Sequence, residues 1–109
     1  MNVLIEDNKS EILRICEENN VKSLYFFGSI VDSQKFRSDS DVDILVDFKD
    51  DISNEEYTDS YFGLLFEMEE LLNREIDVTT VRSVRKPHFK KELEETRVLF
   101  YNALTEVDG

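Results

Sequence analysis

The chain has 109 residues, with 25 acidic against 13 basic side chains and a formal net charge of −12, which suits one domain around one core. A surface this acidic argues against gripping a long nucleic-acid backbone, which needs clustered cations. Hydrophobic residues at 40%, including eight Phe and four Tyr, argue against disorder, and a single cysteine excludes an internal disulfide. No apolar run reaches membrane-spanning length and the first residues lack signal-peptide form, so a reducing cytoplasm is the expected compartment.

Residues 3 to 19 have helical spacing, with Leu4, Ile5, Ile12, Leu13 and Cys16 on one side. Cys16 reads as a small buried hydrophobe. The run Glu18-Asn19-Asn20 then offers an asparagine able to close a helix in the left-handed conformation. Lys22 to Phe27 is rich in β-formers and reads as a strand. Beyond Gly28, residues 29 to 36 have room for two helical turns at most, followed by a polar loop through Ser40. Asp41 to Phe48 alternates: Val42, Ile44 and Val46 point one way, and Asp41, Asp43, Leu45 and Asp47 the other.

Ser53 and Glu56 have the spacing of a capping box. The longest helix follows, residues 54 to 73, with Tyr57, Tyr61, Leu64, Leu65, Met68, Leu71 and Leu72 as its apolar stripe. Glu75 to Val81 is a second β-branched strand. Pro87 opens a last helix reaching about residue 96, as proline does in a first turn, and residues 97 to 102 add a short terminal strand.

Strand, short helix, strand, long helix, strand is the order of an α/β domain spanning 1–109, with flanking helices on a small mixed sheet. A long helix used as a crossover makes strands 41–48 and 75–81 parallel, so both begin at one edge of the sheet. A first strand antiparallel to the second brings Gly28-Ser29 to that same edge. Asp41, Asp43 and Asp77 are then expected to converge there.

Alternate acids on a strand usually mark a solvent face. A third acid at the matching place in the parallel strand changes the reading. Three gathered carboxylates suppress one another's ionisation unless a divalent cation neutralises them, and all-oxygen donors suit Mg²⁺ shared with a substrate's phosphates. A glycine at a strand-to-helix turn admits a phosphate close to backbone N–H groups, and Ser29 adds a hydroxyl donor. The cluster from Arg82 to Lys91 holds five of the thirteen cations and reads as a solvated loop and helix, with His88 a surface residue inside it.

Phe27-Gly28-Ser29, the run from Ser38 to Val46 and the later Glu75 to Val81 together resemble the minimal nucleotidyltransferase family of the polymerase-β-like superfamily. The resemblance covers nearly the whole chain. It implies that Gly28 and Ser29 hold a nucleoside triphosphate, that Asp41, Asp43 and Asp77 bind metal, two Mg²⁺ ions in all, and that Asp77 helps activate an acceptor hydroxyl. It implies ATP as the substrate and, as partner, a HEPN-domain ribonuclease toxin that the chain adenylylates on a tyrosine within a hetero-oligomer, acting as its antitoxin. Other functions open to such a chain are an inactive module neutralising the toxin by contact, or a transferase acting on a small molecule such as an antibiotic. Two features depart from the family pattern. The eleven residues from Ile30 to Ser40 are one more than usual, and Val31-Asp32-Ser33-Gln34 stands where the family often has Arg-Gly, leaving Lys35 or Arg37 to supply the cation.

Overall fold

The computed structural model describes residues 2–104. Two helices lead, α1 (Val3–Asp7) and α2 (Lys9–Glu18), where the spacing predicted one. Asn8 makes the break: its side-chain amide donates to the Leu4 carbonyl at 2.9 Å, an alternative to continuing the backbone ladder. Asn2 caps α1 by accepting from the Leu4 N–H at 2.7 Å. The expected left-handed closure of α2 falls on Asn20, with φ 56°.

β1 (Val21–Phe27) runs into a single 3-10 turn at Gly28–Val31, and β2 (Val42–Phe48) follows the loop. The Ser53 hydroxyl accepts from the Glu56 N–H at 3.1 Å while the Glu56 carboxylate accepts from the Ser53 N–H at 3.3 Å, so the capping box opens α3 (Asn54–Leu72) as read. Asn73, at φ 53°, closes that helix. β3 (Ile76–Thr80), α4 (Pro87–Thr96) and β4 (Val98–Asn102) complete the order, with a second 3-10 turn at Val81–Ser83.

The four strands form one mixed sheet in the order β3-β2-β1-β4. β1 is antiparallel to both β2 and β4, and β2 is parallel to β3 through the α3 crossover. One sheet face carries the core: Leu24 and Phe26 of β1 and Val42, Ile44 and Val46 of β2 meet Ile12, Ile15 and Cys16 of α2 and Leu64, Met68 and Leu72 of α3. Burying that many aliphatic side chains is the main term holding the fold together.

The alternation in β2 contains a correction. Leu45, on the face expected to be polar, is also buried. It lines a small cavity of about 90 Å³ with Val84 and with Leu93 of α4, so the second sheet face has its own thin cover. The Arg97 guanidinium lies 4.2 Å over the Tyr25 ring and extends that cover with a cation–π contact. None of the helices among the described residues is long and apolar enough to cross a membrane.

Candidate active site

The site is assembled by strand register. Phe27, which ends β1, lies opposite Asp43, and Asp43 lies opposite Asp77 across the parallel pair. Paired residues share a face, so the two aspartates stand side by side where β1 gives way to its turn. Gly28 begins that turn at φ +73°, a conformation open to glycine at little cost. A Cβ on Gly28 would also collide with the Asp43 carboxylate. Backbone and carboxylate therefore approach each other here as only glycine permits.

Asp43 is half-buried, whereas Asp41 and Asp77 are exposed. Asp41 sits one residue ahead of β2 rather than inside it. Burial, the facing Asp77 carboxylate and then Asp41 push the Asp43 carboxyl up from 3.8 to about 6, and a hydrogen bond between the Asp43 and Asp77 carboxyls favours the protonated form further. Among the described residues no three Asp, Glu, His or Cys side chains gather into a metal cage. The expected convergence of three acids is thus a close pair, Asp43 with Asp77, and Asp41 near enough to act on Asp43 through its charge.

Beside the pair, a cleft of about 410 Å³ opens between the Gly28–Val31 turn and α4, walled by Phe27, Gly28, Ser29 and Lys35 on one side and by Phe89 and Leu93 on the other. Lys35 stands 4.0 Å from the Asp32 carboxylate, an exposed and weak pairing that leaves its ammonium available to an anion. Arg37 instead turns its Nη1 onto the Gln34 carbonyl at 2.9 Å. Of the two cations offered by the sequence, the cleft takes Lys35. His88 is exposed on the first turn of α4, as expected, and Arg82 of the basic cluster packs 4.3 Å over the Tyr57 ring.

Phe89, Leu93 and Arg74 were not singled out by the sequence. Phe89 and Leu93 have ordinary helical spacing, four residues apart, and nothing local marks the cleft they face. Arg74 gave one usable signal: it separates the Asn that closes α3 from the strand bearing Asp77.

This geometry, a Gly-Ser turn abutting a register-matched acid pair on a small mixed sheet, is that of a nucleotidyltransferase. The polymerase beta nucleotidyltransferase family model matches residues 10–105, and the chain belongs to that family. A Methanocaldococcus jannaschii protein named as a protein adenylyltransferase is 33% identical over 90 residues, covering 78% of this chain and 87% of that protein. A solved minimal nucleotidyltransferase has a TM-score of 0.67 at 22% identity, covering 90% of this chain and 95% of that one. A structure of the tri-AMPylated Shewanella oneidensis HEPN toxin with MNT antitoxin matches at a TM-score of 0.61 and 17% identity, covering 94% of this chain and 76% of that chain.

Proposed function

We propose that this chain transfers AMP from ATP to a hydroxyl, most simply a tyrosine, on a HEPN-domain toxin partner and thereby neutralises it. The observation that carries the reading is Gly28 abutting the register-matched pair Asp43 and Asp77: a phosphate-admitting turn held against two crowded carboxylates. The modified toxin held by a structurally similar antitoxin, and the adenylyltransferase relative, support the acceptor and the nucleotide.

The residues present fit Mg²⁺. Their donors are all carboxylate oxygens, and like-charge crowding of the kind that raises the Asp43 carboxyl is what a divalent cation relieves. Asp43 and Asp77 would hold it, with Asp41 adding its charge beside them and the triphosphate oxygens completing a site for two ions. When bound, magnesium supplies charge neutralisation of the triphosphate and of the attacking and leaving oxygens.

The protein's own part is positioning. Backbone N–H groups after Gly28 and the Ser29 hydroxyl receive phosphate oxygens in the cleft, and the Lys35 ammonium offsets their charge. Phe27, Phe89 and Leu93 give the cleft apolar walls for the nucleoside end. Asp77, exposed beside Asp43, accepts the proton of the acceptor hydroxyl as its oxygen attacks the α-phosphorus. The α-phosphorus bond to the bridging oxygen breaks, pyrophosphate leaves with that electron pair, and AMP is joined to the acceptor.

Mixing the purified protein with Mg²⁺, labelled ATP and the product of the adjacent gene tests this directly. The expected result is label on the partner and a mass gain of one or more AMP units, abolished in Asp43→Asn. A neutralised partner with unchanged mass would establish neutralisation by contact in its place.

A further inference from the structure

The loop from Asp32 to Ser40 links the cleft to the acid pair. It holds itself in shape: the Phe36 N–H donates to the Asp32 carbonyl at 3.1 Å, the Ser40 N–H to the Arg37 carbonyl at 3.1 Å, and the Arg37 N–H to the Ser40 hydroxyl at 2.8 Å. Such local bonds fix a loop's shape and leave its placement on the sheet open. Phe36 packs against the core, and one side chain outside the loop adds a polar tie. Arg74 Nη1 donates to the Arg37 carbonyl and to the Ser40 carbonyl, each at 2.9 Å, and its guanidinium lies 4.5 Å over the Phe36 ring. A planar guanidinium suits this double duty, since its edge donates while its face stacks.

One of the two anchored carbonyls belongs to Ser40, directly before Asp41. The anchor stands three residues before Asp77. The adjoining peptide repeats the connection, because the Val42 N–H donates to the Glu75 carbonyl at 3.0 Å. The approaches to the two acid-bearing strands are therefore fastened to each other by the Arg74-Glu75 segment. A loop tied down only for stability could be fixed anywhere along its length. This one is fixed at Arg37 and again at Ser40, the residue whose backbone leads directly into Asp41.

We propose that Arg74 is the positioning residue of the site, fixing Asp41 relative to the Asp43–Asp77 pair and seating the loop that carries Lys35. The proposal rests on the nucleotidyl-transfer reading above for its consequence in rate, and on geometry alone for its consequence in structure. Arg74 is not among the residues that line the cleft. It acts through Asp41, whose carboxylate is exposed and whose place follows from the backbone that carries it.

The test compares Arg74→Ala and Arg74→Lys with the wild type by three measurements: amide hydrogen exchange over residues 36–42, Mn²⁺ binding by the free protein, and steady-state transfer to the partner. In Arg74→Ala the Ser40 amide should lose protection while the β1–β2 ladder keeps it. Mn²⁺ affinity should fall about tenfold, as when a group orienting a metal ligand is removed. kcat should fall on the order of 100-fold with the nucleotide KM little changed, because the misplaced group acts on the reacting geometry more than on nucleotide binding. Arg74→Lys, which keeps a donor and loses the planar stack, should fall between. Faster loop exchange with unaltered Mn²⁺ affinity and kcat would reduce Arg74 to a structural tie, and unaltered exchange would overturn the clamp itself. If Arg74→Ala fails to melt cooperatively, Arg74→Lys decides by the same three readings. A wild type with no transfer at all would count against the proposed reaction, and exchange and Mn²⁺ binding would still decide the clamp.

Discussion

Replacing Asp43 by Asn should stabilise the metal-free protein while abolishing its activity. The side chain keeps its shape, and its amide can donate to the Asp77 carboxylate opposite. In the wild type the Asp43 carboxyl is raised from 3.8 to about 6, chiefly by burial and then by its acid neighbours, so its charged form is disfavoured in the folded state. The folded protein then binds more protons than the unfolded chain between those values, and stability falls as pH rises through that window. Below the lower value both states are protonated and there is no penalty. Above about 6 the penalty is complete.

A shift of this size corresponds to about 3 kcal/mol at full strength, and solvent screening of a half-buried group reduces it to roughly 1–2 kcal/mol. Urea melts of both proteins in a chelator, from pH 4 to pH 7.5, measure the gap. Asp43→Asn should be more stable by roughly that amount at pH 7 and equal to the wild type near pH 4. Excess Mg²⁺ with nucleotide should stabilise the wild type and leave the variant unmoved. A variant no more stable at pH 7, or a gap that does not depend on pH, would refute the reasoning.

Gly28→Ala should damage both fold and function, because it combines a positive φ with a collision against the Asp43 carboxylate; thermal melts and equilibrium ATP binding should fall together. Lys35→Ala should raise the nucleotide KM while leaving the melting temperature unchanged, since its partnership with Asp32 is exposed and at 4.0 Å weak. Ser53→Ala removes half of the capping box and should cost about 1 kcal/mol in urea melts without altering transfer, which makes it the control for stability loss remote from the site.

Legibility in the sequence followed the range of the forces involved. The α3 crossover, its Ser53–Glu56 cap and the left-handed close at Asn20 are set by residues within four positions of one another, and the local pattern showed them. The meeting of Asp43 with Asp77 is long-range, yet a parallel pairing with fixed handedness leaves few alternatives, so topology supplied it. The break at Asn8 stayed hidden because the apolar spacing continues through it while one side-chain amide redirects the backbone. Burial of Leu45 depended on where α4 lies, which no periodicity in β2 encodes. The contacts of Arg74 were hidden for a related reason, its position between Asn73 and β3 being the one signal: its partners are carbonyl groups 34 and 37 residues away, and carbonyls carry no residue identity.

The antiparallel turn of β1 against β2 gives the sheet two unlike ends. Gly28 and the acid pair lie at the end where β1 stops at Phe27 and β2 begins at Val42. At the other, β1 starts at Val21 opposite Phe48, and the chain leaves through an exposed turn at 49–51, where the ion pair of Lys22 with Asp50 at 3.6 Å is solvent-facing. That turn is a neutral handle. A short peptide tag or a fluorophore-bearing cysteine placed between Asp50 and Asp51 should leave transfer intact, because new residues there lengthen a surface connection at small entropic cost and touch no part of the acid row.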